Sequence, residues 1–109
     1  MAGNAVASAA LLAAVACGGS TEPDDPAPAT LTVNLLAERF DPETGTVAVG
    51  GTVTFVNVSG DEHDVDFGTP QLRIDAFSSG QRSLTFPTAG RFAYHCNLHA
   101  GMEATLVVR

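Results

Sequence analysis

Apolar and polar positions alternate along most of the chain from residue 31 onward. "LTVNLLA" (31–37) sets the pattern, and "TVAV" (46–49), "TVTFVNV" (52–58), "HDVDF" (63–67), "RSLTF" (82–86), "RFAYHC" (91–96) and "ATLVV" (104–108) continue it with Val, Thr, Phe and Tyr. A period of two in such residues suits a pleated strand with one buried face. Gly-Gly, Ser-Gly, Pro and Ala-Gly signals separate most of these runs, and no segment keeps a 3.6-residue apolar period over three turns. The pattern predicts an all-β module, a sandwich or barrel, over residues 31–109.

The first thirty residues break the pattern. Residues 1–17, "MAGNAVASAALLAAVAC", contain a small-residue apolar run from Ala5 to Ala16. That run has the length of a signal h-region and is too short to span a bilayer. Its end, "LLAAVACGGS", resembles the lipobox of bacterial lipoproteins, in which small residues precede a cysteine that becomes lipidated. No Lys or Arg precedes the run, and Ala14 stands where such motifs usually carry Leu. Residues 18–30, "GGSTEPDDPAPAT", carry Pro, Gly and acids without a large apolar side chain, which is the composition of a flexible linker. The expectation is an exported domain on a stalk, in the periplasm or at a cell surface, touching a membrane only through a lipid on Cys17.

Charge narrows the partners. The 109 residues hold twelve acids against five basic residues, all of them Arg, for a net charge of −7. That balance excludes nucleic acid, which needs clustered basic residues, and suits a basic protein partner. Of the two cysteines, Cys17 is spent if it carries lipid, which leaves Cys96 as a lone thiol in an exported domain.

The strand period indicates what that thiol does. In 91–96, Phe92, Tyr94 and Cys96 share one face and Arg91, Ala93 and His95 the other; the aromatic face belongs to the core. In 63–67, His63, Val65 and Phe67 share a face, opposite Asp64 and Asp66. An inward His63 and an inward Cys96, each at a strand end, can meet at one pole, with His99 and Met102 following in a short loop. Structural zinc does not favour a thioether, and iron–sulfur clusters need more cysteines. Two His, one Cys and a weak Met form the blue-copper electron-transfer set. Nucleophilic catalysis by Cys96 would leave the Met without a role, and no phosphate loop, serine elbow or zinc-protease motif is present.

The pattern Tyr94-x-Cys96-x-x-His99-x-x-Met102 resembles the cupredoxins, the small blue copper protein family of plastocyanin, pseudoazurin and amicyanin, with a spacing nearest the amicyanin type. Upstream, Phe40-x-Pro42, Val47-x-x-Gly50, Val53-x-Phe55-x-Asn57, His63-x-Val65-x-Phe67, "FSSGQRSLTF" (77–86) and "TAGRFAYHC" (88–96) extend the likeness over nearly all of 31–109. The resemblance implies a Greek-key β-sandwich of about seven to eight strands, and one type 1 copper held by His63, Cys96, His99 and Met102. It further implies outer-sphere transfer of single electrons rather than enzymatic turnover. The His99 ring edge would reach the surface through an apolar patch of Leu98, Ala100 and Gly101. The redox partner would be a protein such as a basic c-type cytochrome, steered by Asp61, Glu62, Asp64 and Asp66 and met by a monomer. A carrier or storage module with the same ligands, or a subunit of a copper enzyme, would use the same residues. Asp64 stands where plastocyanins carry an Asn that braces the Cys loop, and Ala104 where a Gly is common; both bear on redox tuning. In copper oxidases a His beside the Cys binds a second copper, but this chain has only three His, so His95 is expected to face solvent or bond the backbone.

Overall fold

The computed structural model describes residues 26–109. The signal run, Cys17 and all but the end of the linker lie outside them. Among the described residues nine strands run in chain order: β1 (Thr30–Leu35), β2 (Phe40–Asp41), β3 (Thr44–Val47), β4 (Gly51–Asn57), β5 (His63–Thr69), β6 (Leu72–Phe77), β7 (Gly80–Phe86), β8 (Gly90–His95) and β9 (Glu103–Val108). They form two sheets, β2-β1-β4-β7 and β3-β9-β8-β5-β6, packed face to face as a sandwich. The sequence pattern locates seven of them; β2 and β6 are the additional ones.

Alternation is plainest in β4, where Gly51, Val53, Phe55 and Asn57 are buried and the residues between are half-buried. In β9, Ala104, Leu106 and Val108 are buried. Gly51 has no room for a side chain: a Cβ would lie 2.7 Å from the carbonyl oxygens of Ala29 and Ala48.

The core is aromatic toward its middle. Tyr94 meets Phe40 at 4.8 Å and Phe55 at 5.8 Å edge-on, and stacks on Phe67 at 4.6 Å between ring centroids. Phe40, Phe55 and Phe86 are wholly buried, each stabilising the fold by about 1.5–3 kcal/mol. Tyr94 precedes Cys96 by two residues on the same face, so this cluster fixes the strand that delivers the thiol.

The registers bring several strand ends to one pole. Leu35 of β1 pairs Asn57 of β4, which pairs Gly80 of β7. His63 of β5 pairs Phe77 of β6, and His95 of β8 pairs Glu103 of β9. At the other pole Gly51 pairs Phe86 and Gly90 pairs Val108.

Candidate metal centre

The loop between β8 and β9 is closed by its own backbone. The Cys96 amide donates to the Met102 carbonyl at 3.0 Å, and the Met102 amide donates to the His99 carbonyl at 3.3 Å. The second bond makes residues 99–102 a tight turn, and Gly101 in its third position has φ +78°. A positive φ there is what a type II turn requires and what glycine adopts without strain. The turn brings His99 and Met102 back to Cys96, which directly follows β8.

Cys96, His63 and His99 converge. Cys96 Sγ lies 3.8 Å from His63 Nδ1 and 3.7 Å from His99 Nδ1, and the three donor atoms fall within 4.8 Å of one another. The two imidazole rings sit 4.5 Å apart. His63, Cys96 and Met102 are buried, while His99 is half-buried. The parity expected for β8 holds: Tyr94 and Cys96 face the core, and Arg91 and Ala93 are exposed. Cys96 is a free thiol, with the Leu98 amide directed at its sulfur from 3.4 Å.

His63 is prepared for a cation. Burial, then the neighbouring His99, holds the His63 imidazole below its ordinary pKa, so the ring stays neutral and its lone pair available. Its Nε2 lies 3.0 Å from the Ser59 hydroxyl. Ser59 Oγ donates to Asn57 Oδ1 at 2.8 Å and accepts the Asp61 amide at 3.0 Å. With its hydrogen given to Asn57, the hydroxyl can only accept from His63, so Nε2 carries the proton and Nδ1 faces Cys96. A thiol, two imidazoles and a buried thioether make a soft, borderline donor set, suited to copper rather than to magnesium or calcium.

Asp64 departs from expectation. Asp64 and Asp66 do share a face, as the strand period requires, but that face is covered. The Asp64 side chain is only 4% exposed. Its Oδ1 accepts the Asn97 amide at 2.7 Å, and its Oδ2 accepts Asn97 Nδ2 at 3.0 Å and the Arg73 guanidinium at 3.1 Å. Burial alone would push the carboxyl up. The Asn97 side chain and amide, Cys96 and Arg73 outweigh it and hold Asp64 below the usual carboxylate range. Asp66 is held low by the Asn97 side chain and the Gly68 amide, with Arg73 adding to them. The exposed acidic shoulder therefore reduces to Asp61 and Glu62.

His95 is engaged as well. Asn97 Nδ2 donates to both Asp64 and Asp66, which fixes the amide orientation and leaves Oδ1 to accept from His95 Nε2 at 3.0 Å. That nitrogen is spent as a donor. Ser59, Arg73 and Asn97 are the functional neighbours that the sequence pattern does not single out.

No family model matches the sequence. It is 31% identical over 97 residues to plastocyanin from Scenedesmus fuscus, covering 72% of this chain and 99% of that protein. It is 32% identical over 84 residues to amicyanin from Paracoccus denitrificans, covering 72% of this chain and 64% of that one. Among solved structures, an oxidised amicyanin mutant superposes with a TM-score of 0.67 at 28% identity, over 79% of this chain and 93% of the other. A Cu(I) form of another amicyanin mutant gives 0.60 at 30% identity, over 76% and 85%.

Proposed function

The chain belongs to the cupredoxin family and is a blue copper electron carrier of the plastocyanin and amicyanin kind, and we propose that His63, Cys96, His99 and Met102 are the ligands of its one copper ion. The observation that carries the assignment is the approach of one sulfur and one nitrogen from each of two imidazoles to within 4.8 Å, with a buried thioether in the same loop. Copper bound there supplies a one-electron couple that needs no substrate at the metal. Cys96 provides the strong thiolate donor, His63 and His99 the imidazoles, and Met102 the weak fourth donor that helps set the potential. The burial of His63, Cys96 and Met102 keeps water from the donors.

The way in and out is the His99 edge. Leu98, the residue before His99, and Val58, next to Asn57 at the same pole, are each about half exposed, and Ala100 and Gly101 are exposed apolar positions as well. Asp61 and Glu62 are exposed on the turn before His63 and give the rim a negative charge. This combination suits a basic redox protein such as a c-type cytochrome, drawn in by charge and seated on apolar atoms.

The chain enters the sandwich at the far pole. The Pro28 carbonyl accepts the Ala48 amide and the Ala29 carbonyl accepts the Thr52 amide, next to Gly51. From there the six residues of β1 run about 20 Å toward the copper pole. A lipid on Cys17 would then tether the exported, monomeric domain by the end opposite His99. The mass of the N-terminal peptide from the native host reads the anchor directly: acyl chains on Cys17 support it, and an unmodified peptide running through Cys17 refutes it.

Metal analysis and stopped-flow reduction test the function. One copper per chain, kept in His95→Ala, and reduction by a basic cytochrome that slows as salt rises are expected. Exposed charges are screened over about 8 Å at physiological salt. Two coppers per chain, with one lost in His95→Ala, would instead point to a copper enzyme.

A further inference from the structure

Arg73 belongs to β6, a strand that contributes no metal donor, yet its guanidinium reaches the ligand loop through one buried carboxylate. It donates from one nitrogen to Asp64 at 3.1 Å and from another to Asp66 at 2.9 Å, and lies 3.6 Å from the fully exposed Asp75. Asp64 in turn accepts both the backbone amide and the side-chain amide of Asn97, the residue directly after Cys96. Asp66 takes the second hydrogen of Asn97 Nδ2 at 2.9 Å. The register explains the geometry: Asp66 of β5 is laterally paired with Arg73 of β6 on one side and His95 of β8 on the other. Two neighbouring strands, β5 and β6, and the ligand loop are thus joined by charge-assisted hydrogen bonds, which are about twice as strong as neutral ones.

We propose that Asp64 and Arg73 are positioning residues that hold Asn97 at the start of the ligand loop with a charged pair, where plastocyanins use a neutral Asn, and set the reduction potential with opposite signs. The proposal rests on the copper reading above and adds the part these two side chains have in it. A neutral amide at position 64 can accept the Asn97 backbone N–H with its one oxygen. It cannot also accept Asn97 Nδ2 and Arg73, because its own NH2 group would then face their donors. A carboxylate satisfies all three. It also places a negative charge one residue from His63 and next to the loop that carries the thiolate, at a position with little water to screen it. A negative charge there favours the more positive oxidation state of the metal and lowers the potential. The Arg73 cation, bonded to the same carboxylate from the strand outside, works against it and raises the potential.

Two variants separate this from a purely structural role. Asp64→Asn and Arg73→Gln both break the same ion pair, so simple loosening of the loop would move their properties the same way. An electrostatic role predicts a higher reduction potential in Asp64→Asn and a lower one in Arg73→Gln, with the visible absorption kept in both. Asp75→Asn, on a side chain 98% exposed, is the charge control and is expected to change the potential least. Arg73 is more than a third exposed, so Arg73→Gln is expected to fold even if Asp64→Asn does not. Amide hydrogen exchange in the metal-free protein reads the positioning independently of copper. Asn97 N–H is expected to exchange at least about tenfold faster in Asp64→Ala than in the parent chain. Shifts of the same sign in Asp64→Asn and Arg73→Gln, or an unchanged potential in both, would overturn the potential claim. Unchanged Asn97 exchange would overturn the positioning claim. A parent chain that takes up no copper would overturn the copper reading and the potential claim together, while the exchange result still decides the positioning.

Discussion

The Ser59 hydroxyl lies 3.0 Å from His63 Nε2, and Cys96 lies 3.8 Å from Nδ1 of the same ring. One nitrogen is anchored by the protein so that the other can serve a metal. Such partners of a ligating histidine typically account for about 10–100-fold in metal affinity. Ser59→Ala should therefore weaken copper binding within that range, and Ser59→Thr, which keeps the hydroxyl, should recover most of it. Competition titration against a chelator measures the ranking; equal affinities for the parent and Ser59→Ala would remove the hydroxyl from any role.

Acid stability should follow Asp66 and Asp64 in the metal-free protein. Both carboxyls are held below their ordinary pKa in the folded chain. A depressed carboxyl stabilises the fold at pH values above its unfolded pKa of about 3.9. That contribution is lost as the pH falls through the lower, folded value. Asp66→Asn should cost at most about 1 kcal/mol near neutrality. It should also lose less stability than the parent between about pH 5 and pH 2. Thermal melts across that range would show the two curves drawing together in acid; parallel curves would contradict the assignment.

Gly101 gives a test of the loop that leaves its donors untouched. A Cβ there would meet nothing within 4 Å, so any cost of substitution is the cost of its φ of +78°. Gly101→Val should destabilise the metal-free domain by about 1–2 kcal/mol. Gly101→Asn should cost less, since Asn tolerates this region. Urea unfolding measures both, and a neutral Gly101→Val would mean the turn relaxes freely.

The ligand candidates were legible because they depend on two simple periodicities. Cys96, His99 and Met102 lie close along the chain, and strand parity places both Cys96 and His63 on core faces. Their surroundings depend on register between strands far apart in sequence. β6 hid itself for a physical reason: its buried residues are Ile74 and Phe77, three apart, because the β5–β6 pairing shifts register between His63 and Val65. With β6 unread, Arg73 had no visible position beside Asp66, and Asp64 looked like a solvated acid. Ser59 lies in a turn, where one hydroxyl among polar residues carries no periodic signal. β2 is two residues long and has no period at all.

Adding Cu(II) to the metal-free protein and recording the visible spectrum tests the metal centre most directly. The intense absorption of this family comes from the copper–thiolate bond, so the parent chain should turn blue and saturate at a single equivalent. Cys96→Ser should stay colourless while its circular dichroism still reports a folded β-protein. A parent chain that remains colourless, or a Cys96→Ser variant with the parent's absorption, would contradict a copper centre built on Cys96.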